Sequence, residues 1–298
     1  MDGSGDLPLW DFRYPTQGAI AFEILRVEVP PARATFAPKP ERADAYEILW
    51  VDSGSGTHAI DFRDYPIGAN TLFCLTPGQV HAAHIQAPVR GARMRFQADT
   101  VSGGRVAQGF LRSLDFFHRI DLDPVIALDE EEAQPLLALL RDLMLEVAQE
   151  GFGRALAIQA RLRLFLVQLQ RLCLEARRTD PPSAAEVWLE EYRRLIDQHF
   201  LAKRNVQDYA GLLGISSGHL TNLCTELTGH PAGALLRDRI LLEAKRLLAD
   251  TDHSAAEIAT ELRFEDPSYF GRFFRRETGQ SPLAFRREFQ KTFLTRRA

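Results

Sequence analysis

The sequence lacks the features that mark membrane proteins and disulfide-rich secreted proteins. Its three cysteines lie far apart and form neither a disulfide framework nor a zinc-binding spacing. No apolar run reaches the roughly 18 residues of a membrane span, and residues 1–10 contain neither the basic nor the apolar region of a signal peptide. We therefore expect a cytoplasmic protein without a membrane partner, in which the cysteines are small buried hydrophobic side chains.

The chain also lacks a net positive charge, since its 298 residues carry a formal charge of −4. This charge is unevenly distributed. Residues 186–298 contain 17 basic and 16 acidic residues, and residues 263–298 contain 9 basic and 4 acidic residues. A local basic patch matters more to a polyanion than the total charge does. The C-terminal end is therefore the part of the chain that is suited to nucleic acid.

The first third of the chain is rich in β-branched and aromatic residues. Turn signals at residues 53–56 (SGSG) and 76–78 (TPG) interrupt it. Short strands at this spacing predict an antiparallel barrel or sandwich. The predicted strands cover residues 20–29, 45–51, 57–62, 71–75 and 93–97.

Beyond residue 123 the apolar residues recur at helical spacing, which predicts helices over residues 130–149 and 154–177. The second helix has apolar residues on more than one side. One side can pack on the sheet, and the other is either a dimer seam or part of the same monomer's core. We predict a homodimer, with Leu162 and Leu169 as candidates for its seam.

Residues 178–183 (RTDPPS) predict a linker, because two prolines deny a helix its backbone donors. The chain then divides into four parts. These are a predicted sensor domain at residues 1–125, a helical pair at 126–178 that is the candidate dimerisation region, a linker at 179–185, and an all-α domain at 186–298.

The all-α domain contains a repeated layout. Residues 205–229 and 254–279 each contain a short helix, a tight turn and a second helix that ends in Thr-Gly. Ser216, Ser254 and Asp266 stand where these helices need N-caps. This is the helix-turn-helix layout, although a repeated helical hairpin in an ordinary all-α domain has the same geometry.

An amphipathic helix predicted over residues 231–248 joins the two units. About 18 residues span ~27 Å. The second helices of the two units, held at that distance, could enter successive major grooves of DNA. These grooves lie ~34 Å apart, so an offset in docking or a bend in the DNA would have to make up the shortfall in distance.

The repeat resembles the DNA-binding domain of the AraC/XylS family of bacterial transcription regulators. The resemblance covers about residues 187–289 and rests on residues 213–216 (LGIS), residues 264–276 (FEDPSYFGRFFRR), Gly279, Pro282 and Arg286. Arg263 departs from the family pattern, which has glycine at this position. An arginine in the left-handed conformation that suits the site costs on the order of 1 kcal/mol, so we expect a slightly different turn.

The N-terminal third resembles the cupin-like sensor domain of the same family, through residues 46–51 (YEILWV), 53–57 (SGSGT) and 77–81 (PGQVH). Metal-binding cupins place two histidines before a glutamate and another histidine after it. With Glu47 aligned on that glutamate, Glu41 and Ala43 occupy the two histidine positions, and only Glu47 and His81 remain. Alanine cannot ligate a metal, so we predict no metal site, no cofactor and no enzyme activity.

The resemblance implies an α+β protein: a cupin-like β-barrel with flanking helices, then an all-α domain with two helix-turn-helix units joined by a linker helix. Its function would be sequence-specific regulation of transcription, controlled by a small molecule. Promoter DNA, an effector and, for an activator, RNA polymerase are the implied partners. A cupin-type metal enzyme with a helical appendage is the alternative, and a co-regulator that binds only protein is a third class.

The family alignment assigns DNA contacts on the second helix of each unit. Side chains that face the groove are predicted to reach base edges, with asparagine suited to adenine and arginine to guanine: His219, Thr221, Asn222, Ser268 and Arg272. His219 could instead contact a phosphate, and Arg272 could belong to a solvated helix face. Other exposed side chains of the second unit are predicted to contact phosphates, which position the protein without specifying sequence: Tyr269, Arg275 and Arg276.

The effector is expected to be a polar or anionic organic molecule. Family precedents include sugars, aromatic acids, fatty acids and, more rarely, a cyclic dinucleotide. Four side chains near the expected barrel mouth are predicted to contact it: Arg33, Lys39, Arg42 and Tyr46. Lys39 and Arg42 could clamp a carboxylate or phosphate, or they could be solvated surface charges.

Overall fold

The computed structural model of the chain describes residues 11–16, 19–29, 40–101, 110–111, 113–118, 123–175 and 183–295. These residues belong to two compact units, one within Met1–Arg178 and the other within Thr179–Ala298. The first unit combines an antiparallel sheet with helices, and the described part of the second is helical. The chain therefore has the α+β architecture that the sequence predicts.

A single antiparallel sheet forms the centre of the first unit. Its described strands are β1 (Asp11–Thr16), β2 (Ala19–Val29), β3 (Glu41–Arg42), β4 (Tyr46–Ile60), β5 (Arg63–Ile67), β6 (Thr71–Leu75), β7 (Val80–Phe96) and β8 (Val125–Ala127). They run in the order β1-β2-β7-β4-β6-β8, with β3 paired to β7 and β5 paired to β4. This order ends at β1 and β8, so the predicted barrel is not closed in the described part of the chain.

Strand β4 corrects one prediction from the sequence. A turn was expected at residues 53–56, but β4 continues through them as one strand. The pairing of β4 with β7 shifts in register between residues 51 and 56, and regular pairing continues on both sides of these shifts. Gly54 has a φ of +119°, and a Cβ at Gly56 would lie 2.2 Å from the carbonyl oxygen of His84. Glycine is needed here because the strand bends and approaches its neighbour closely, and not because the chain reverses.

The two faces of the sheet have different neighbours, because successive residues of a strand point to opposite sides. Ile48 and Trp50 of β4 belong to a core shared with helices. Leu49 and Val51 belong to a second core that is formed almost entirely by strand residues, and we call this side of the sheet the inner face. The helices of the first unit are α1 (Ala98–Val101), α2 (Asp115–His118), α3 (Glu130–Ala148) and α4 (Arg154–Glu175).

Helix α4 contributes its main apolar stripe to the core of the monomer. Leu162 and Leu169 are both fully buried, so the prediction that they form a dimer seam is wrong. Large apolar side chains do remain exposed on this helix and on the loop before it: Phe152, Leu156, Leu164 and Leu174. The cysteines are buried, as expected.

The second unit contains the two predicted helix-turn-helix layouts around one apolar core. The predicted N-caps are confirmed, since Ser216, Ser254 and Asp266 each accept a hydrogen bond from a backbone N–H of the helix that follows. The described helices are α5 (Ala184–His199), α6 (Val206–Leu213), α7 (Ser217–Thr228), α8 (Ala232–Asp250), α9 (Ala255–Glu261), α10 (Pro267–Thr278) and α11 (Pro282–Thr295).

The turns inside the two helix-turn-helix units begin with the same left-handed backbone conformation. Gly214 has a φ of 70° and Arg263 a φ of 57°. In each unit the next backbone N–H donates to a carbonyl oxygen of the preceding helix, at 3.0 Å for Ile215 and 2.8 Å for Phe264. The second turn is one residue longer, because Arg263 stands three residues before the N-cap Asp266, whereas Gly214 stands two residues before the N-cap Ser216. The expected difference therefore lies in the length of the turn and not in the conformation of its first residue. The packing of both helices on the core and this hydrogen bond hold the arginine in a conformation that favours glycine.

Helix α8 packs against helices of both helix-turn-helix units, and charged side chains fix its position. Arg239 of α8 donates to Asp197 of α5 at 2.7 Å and to Glu243 at 3.0 Å. Arg286 of α11 donates to the carbonyl oxygen of Leu248 at 3.0 Å, near the end of α8. Arg286, which belongs to the sequence signature, thus has a structural role as a helix cap.

Candidate DNA-binding helices and effector site

Helix α7 presents three predicted base-contact residues in its first half. The His219 ring meets the Trp188 ring of α5 edge to face, with 5.2 Å between ring centroids, so packing orients this histidine. Thr221 is half-buried, and its hydroxyl donates to the carbonyl oxygen of Ser217 at 2.8 Å. Asn222 is exposed. The amide of Asn222 is therefore accessible on the surface of this helix.

Helix α10 has one aromatic face and one polar face. Phe270, Phe273 and Phe274 are buried in the core of the second unit. The predicted DNA contacts of this helix are all exposed: Ser268, Tyr269, Arg272, Arg275 and Arg276. The structure thus brings them together on the side of the helix that the phenylalanines leave free.

The three arginines of α10 differ in their partners. Arg272 lies 3.6 Å from the carboxylate of Asp266, and Arg276 is paired with Glu277 at 2.7 Å. Arg275 forms no ion pair with any residue that the structure describes. Arg275 can therefore meet a phosphate without first breaking an existing ion pair.

The two recognition helices carry different charges. Helix α7 (Ser217–Thr228) contains no lysine or arginine and one glutamate, whereas α10 (Pro267–Thr278) contains three arginines and one glutamate. Neutralisation of phosphates by cationic side chains produces most of the salt-dependent attraction to DNA. Helix α10 is consequently the more attractive of the two helices to a DNA backbone.

The inner face of the sheet carries a cluster of charges. Arg95 donates to Glu47 at 2.9 Å, to Glu23 at 3.4 Å and to Asp44. Arg93 approaches Glu23 at 3.9 Å. Glu23 and Glu47 are buried, and burial raises the pKa of Glu47 while the charges of Arg93 and Arg95 oppose that rise. Two guanidinium groups thus balance two buried carboxylates, and Asp44 adds an exposed negative charge.

A pair of buried histidines lies on the same face. Nε2 of His58 and Nδ1 of His81 are 3.2 Å apart, and the His58 and Phe73 ring centroids are 4.7 Å apart. Burial lowers the pKa of His58 to about 3 and that of His81 to about 4, so both rings are neutral at pH 7. Nδ1 of His58 has no hydrogen-bond partner among the described residues. This nitrogen is a donor or an acceptor, depending on the tautomers of the pair.

The structure describes two of the four predicted effector contacts, Arg42 and Tyr46. Arg33 and Lys39 lie outside the described residues. Arg42 is half-buried on β3, opposite Val80 of β7. The structure therefore leaves the predicted clamp of Lys39 and Arg42 as a prediction.

Tyr46 lies on the helix-facing side of the sheet. Its ring stacks on that of Phe96 with 5.6 Å between centroids, and it meets the Phe117 ring at 4.9 Å. Glu47, the next residue along β4, points to the inner face instead. A one-residue difference in register decides which side chain faces a ligand, and the sequence does not fix that register.

The sequence reasoning missed the charged and histidine side chains of the inner face: Glu23, Arg93, Arg95 and His58. One signal could have found the arginines. In residues 90–96 (RGARMRF), charged residues alternate with apolar ones, and a period of two puts the charges on one side of a strand. Charges on a strand that is otherwise apolar indicate a polar patch on a covered face.

No metal centre forms from the residues that the cupin resemblance singles out. Glu47 contacts Arg95, and His81 contacts His58. Among the described residues, no group of three or more His, Cys, Asp or Glu side chains is arranged to hold a metal ion. None of the described helices is long and apolar enough to span a bilayer.

A double helix-turn-helix unit in the same chain as a sheet unit with a polar inner face defines a class of protein, the two-domain transcription regulator. Comparison with protein families agrees. An AraC-like ligand-binding domain matches residues 24–166, and a helix-turn-helix domain matches residues 209–288. The chain belongs to the AraC family of transcription regulators, with a ligand-binding N-terminal domain, and it is not an enzyme.

Curated relatives align over most of their own length. The uncharacterised helix-turn-helix regulator YfiF of Bacillus subtilis (strain 168) is 25% identical over 255 residues, which are 84% of this chain and 79% of YfiF. The transcriptional activator RhaS of Salmonella typhimurium is 24% identical over 243 residues, which are 82% of this chain and 85% of RhaS. Among solved structures, ToxT from Vibrio cholerae O395 matches with a TM-score of 0.44 and 13% identity, covering 89% of this chain and 97% of ToxT.

Proposed function

We propose that this regulator binds a polar organic effector on the inner face of its sheet, and that the bound effector controls promoter recognition by α7 and α10. The observation that carries the effector site is the buried Nδ1 of His58, which lacks a hydrogen-bond partner among the described residues. Leaving such an atom unpaired costs about 1–3 kcal/mol. A ligand hydroxyl group recovers this energy with either tautomer, because it both donates and accepts.

The charged cluster extends the same site. Arg93 has a contact of 3.9 Å with Glu23, which leaves most of its N–H groups available for a ligand carboxylate or a pair of hydroxyl groups. Arg93 and Arg95 also lower the pKa of His81, so the arginines and the histidine pair act within one polar region. Apolar side chains of the inner face can cover the carbon skeleton of the effector.

The proposed DNA contacts are those that the structure leaves accessible on the two recognition helices. On α7, Asn222 pairs with adenine, and His219 and Thr221 reach neighbouring base edges. On α10, Arg272 pairs with guanine through O6 and N7, and Ser268 lies one turn earlier on the same side. Side chains that contact phosphates complete the set: Tyr269, Arg275 and Arg276.

The proposal includes a homodimer and, for activation, contact with RNA polymerase. Exposed apolar side chains on α4 and the loop before it supply the dimer surface, with Phe152, Leu156 and Leu164 as its main residues. In a two-fold dimer the same patch lies on both sides of the interface. Transcription in vitro from the bound promoter, with purified polymerase, tests the activating role.

The effector site is tested first by native mass spectrometry of the purified full chain, which should show a retained small molecule. Calorimetry with that molecule then compares Arg93→Gln with Tyr46→Phe, a matched control on the helix-facing side. We expect Arg93→Gln to weaken binding and Tyr46→Phe to leave it unchanged. Equal affinities in the two variants would move the site away from the inner face. By linkage, the effector and DNA must change each other's affinity by the same factor.

A further inference from the structure

The turn of the second helix-turn-helix unit contains a strained arginine. Arg263 is one of four non-glycine residues with positive φ in the described part of the chain, the others being Asp61, Phe62 and Asn70. The corresponding turn of the first unit uses Gly214, with φ of 70°. Strained residues persist where the surrounding structure enforces them, and they are often found at functional sites. The strain at Arg263 therefore calls for a functional reason.

Arg263 is also a cation without a carboxylate partner. Its side chain is exposed, and it forms no ion pair with any described residue. Of the nearby acidic residues, Glu261 lies 3.3 Å from His253 and Asp266 lies 3.6 Å from Arg272. Glu265 is exposed and forms no ion pair with Arg263. The charge of Arg263 is therefore available to a partner outside the chain.

A second guanidinium lies beside it. Arg204 donates to the carbonyl oxygen of Leu262, and its guanidinium carbon is 4.9 Å from the ring centroid of Phe264. Burial lowers the pKa of Arg204; Tyr209 opposes this, and the charge of Arg263 lowers it further. Two like charges are thus fixed close together with no carboxylate on either, an arrangement that an external anion stabilises.

The position of the turn identifies that anion. In a helix-turn-helix, the first helix crosses the DNA backbone while the N-terminal residues of the second contact base edges. Arg263 stands between α9, the first helix of its unit, and the N-cap of α10 at Asp266. A side chain at this junction is placed beside the phosphates that flank the groove.

We propose that Arg263 is a DNA-phosphate contact of the second helix-turn-helix unit, with Arg204 fixed behind it as a second positive charge. This inference rests on the proposed role of α10 as a recognition helix. It assigns a function to a residue at which this chain departs from the family pattern. It also explains why a strained conformation is kept where glycine would relieve the strain.

The test uses the full chain and two DNA duplexes of equal length, one enriched from a random library with the wild-type protein and one of scrambled sequence. Fluorescence anisotropy measures Kd on both duplexes over a range of salt concentrations. The variants are Arg263→Gly, which removes the charge and the strain, and Arg263→Lys, which keeps both. Arg171→Ala removes an exposed arginine from the other unit and serves as the control.

We expect Arg263→Gly to weaken binding to both duplexes by the same several-fold factor, and to reduce the slope of log K against log salt by about 1. Arg263→Lys should retain most of the slope, and Arg171→Ala should match the wild type. Unchanged affinity and slope in Arg263→Gly would overturn the inference, and so would a loss confined to the enriched sequence. A wild-type chain that enriches no sequence from the library would instead show that the proposed function itself is wrong.

Discussion

Replacing Arg263 with glycine should stabilise the helical unit even though it removes a proposed DNA contact. Arg263 has a φ of 57°, and the left-handed conformation costs a residue with a Cβ about 1–2 kcal/mol. Relief of this strain by glycine is partly offset, because glycine loses more conformational freedom on folding, which costs about 0.5–1 kcal/mol. The net expected stabilisation is ~0.5–1 kcal/mol.

A substitution at the corresponding position of the first unit, Gly214, should change the stability in the opposite direction. Gly214 has a φ of +70°, and a Cβ built there would meet no heavy atom within 4 Å. Gly214→Ala therefore introduces the conformational cost without a steric clash. We expect it to destabilise the unit by about the amount that Arg263→Gly gains.

Differential scanning calorimetry of the full chain measures both effects. A change of ~1 kcal/mol shifts the transition of a domain of this size by about 4 °C. The transition of the helical unit should move up in Arg263→Gly and down in Gly214→Ala, while the transition of the sheet unit stays in place. An unchanged or lower transition in Arg263→Gly would refute the argument from backbone strain.

Two further predictions concern the sheet unit. Its stability should fall as the pH decreases from about 6.5 towards 4, because the unfolded chain binds protons on His58 and His81 that the folded state, with pKa values of about 3 and about 4, does not bind. His58→Gln should reduce this dependence in urea unfolding, and an unaltered dependence would contradict the assignment. Leu156→Glu combined with Leu164→Glu should give folded monomers in sedimentation velocity, whereas Leu162→Glu should unfold the unit. A wild-type chain that is monomeric at micromolar concentration would contradict the proposed dimer surface.

Local signals in the sequence predicted the helical unit well. Ser216, Ser254 and Asp266 cap helices through contacts within three residues, so their roles depend only on neighbouring sequence. The aromatic stripe of α10 also follows from a period that the sequence displays directly. The left-handed conformation of Arg263 was less evident from the sequence, because tertiary packing overrides the local preference of an arginine.

The sheet unit was predicted less completely, because its features depend on register and on partners distant in sequence. Residues 53–56 have the composition of a turn, yet they lie within β4 because β7 pairs with that strand on both sides of them. Tyr46 was expected to contact the effector but packs on the helix-facing side, and the inner face receives Glu47, one step along the strand. The contact between His58 and His81 joins two strands, and neither histidine carries a local signal of it.

The central claim is that α10 reads bases through Arg272 and holds the DNA backbone through Arg275. Sequencing of DNA selected from a random library, with the wild type, Arg272→Ala and Arg275→Ala in parallel, tests it most directly. We predict that Arg272→Ala relaxes the preference at one base pair and weakens the cognate site by ~1–3 kcal/mol, and that Arg275→Ala keeps every base preference while lowering affinity for all sequences alike. Base preferences that are unchanged in Arg272→Ala would contradict the claim.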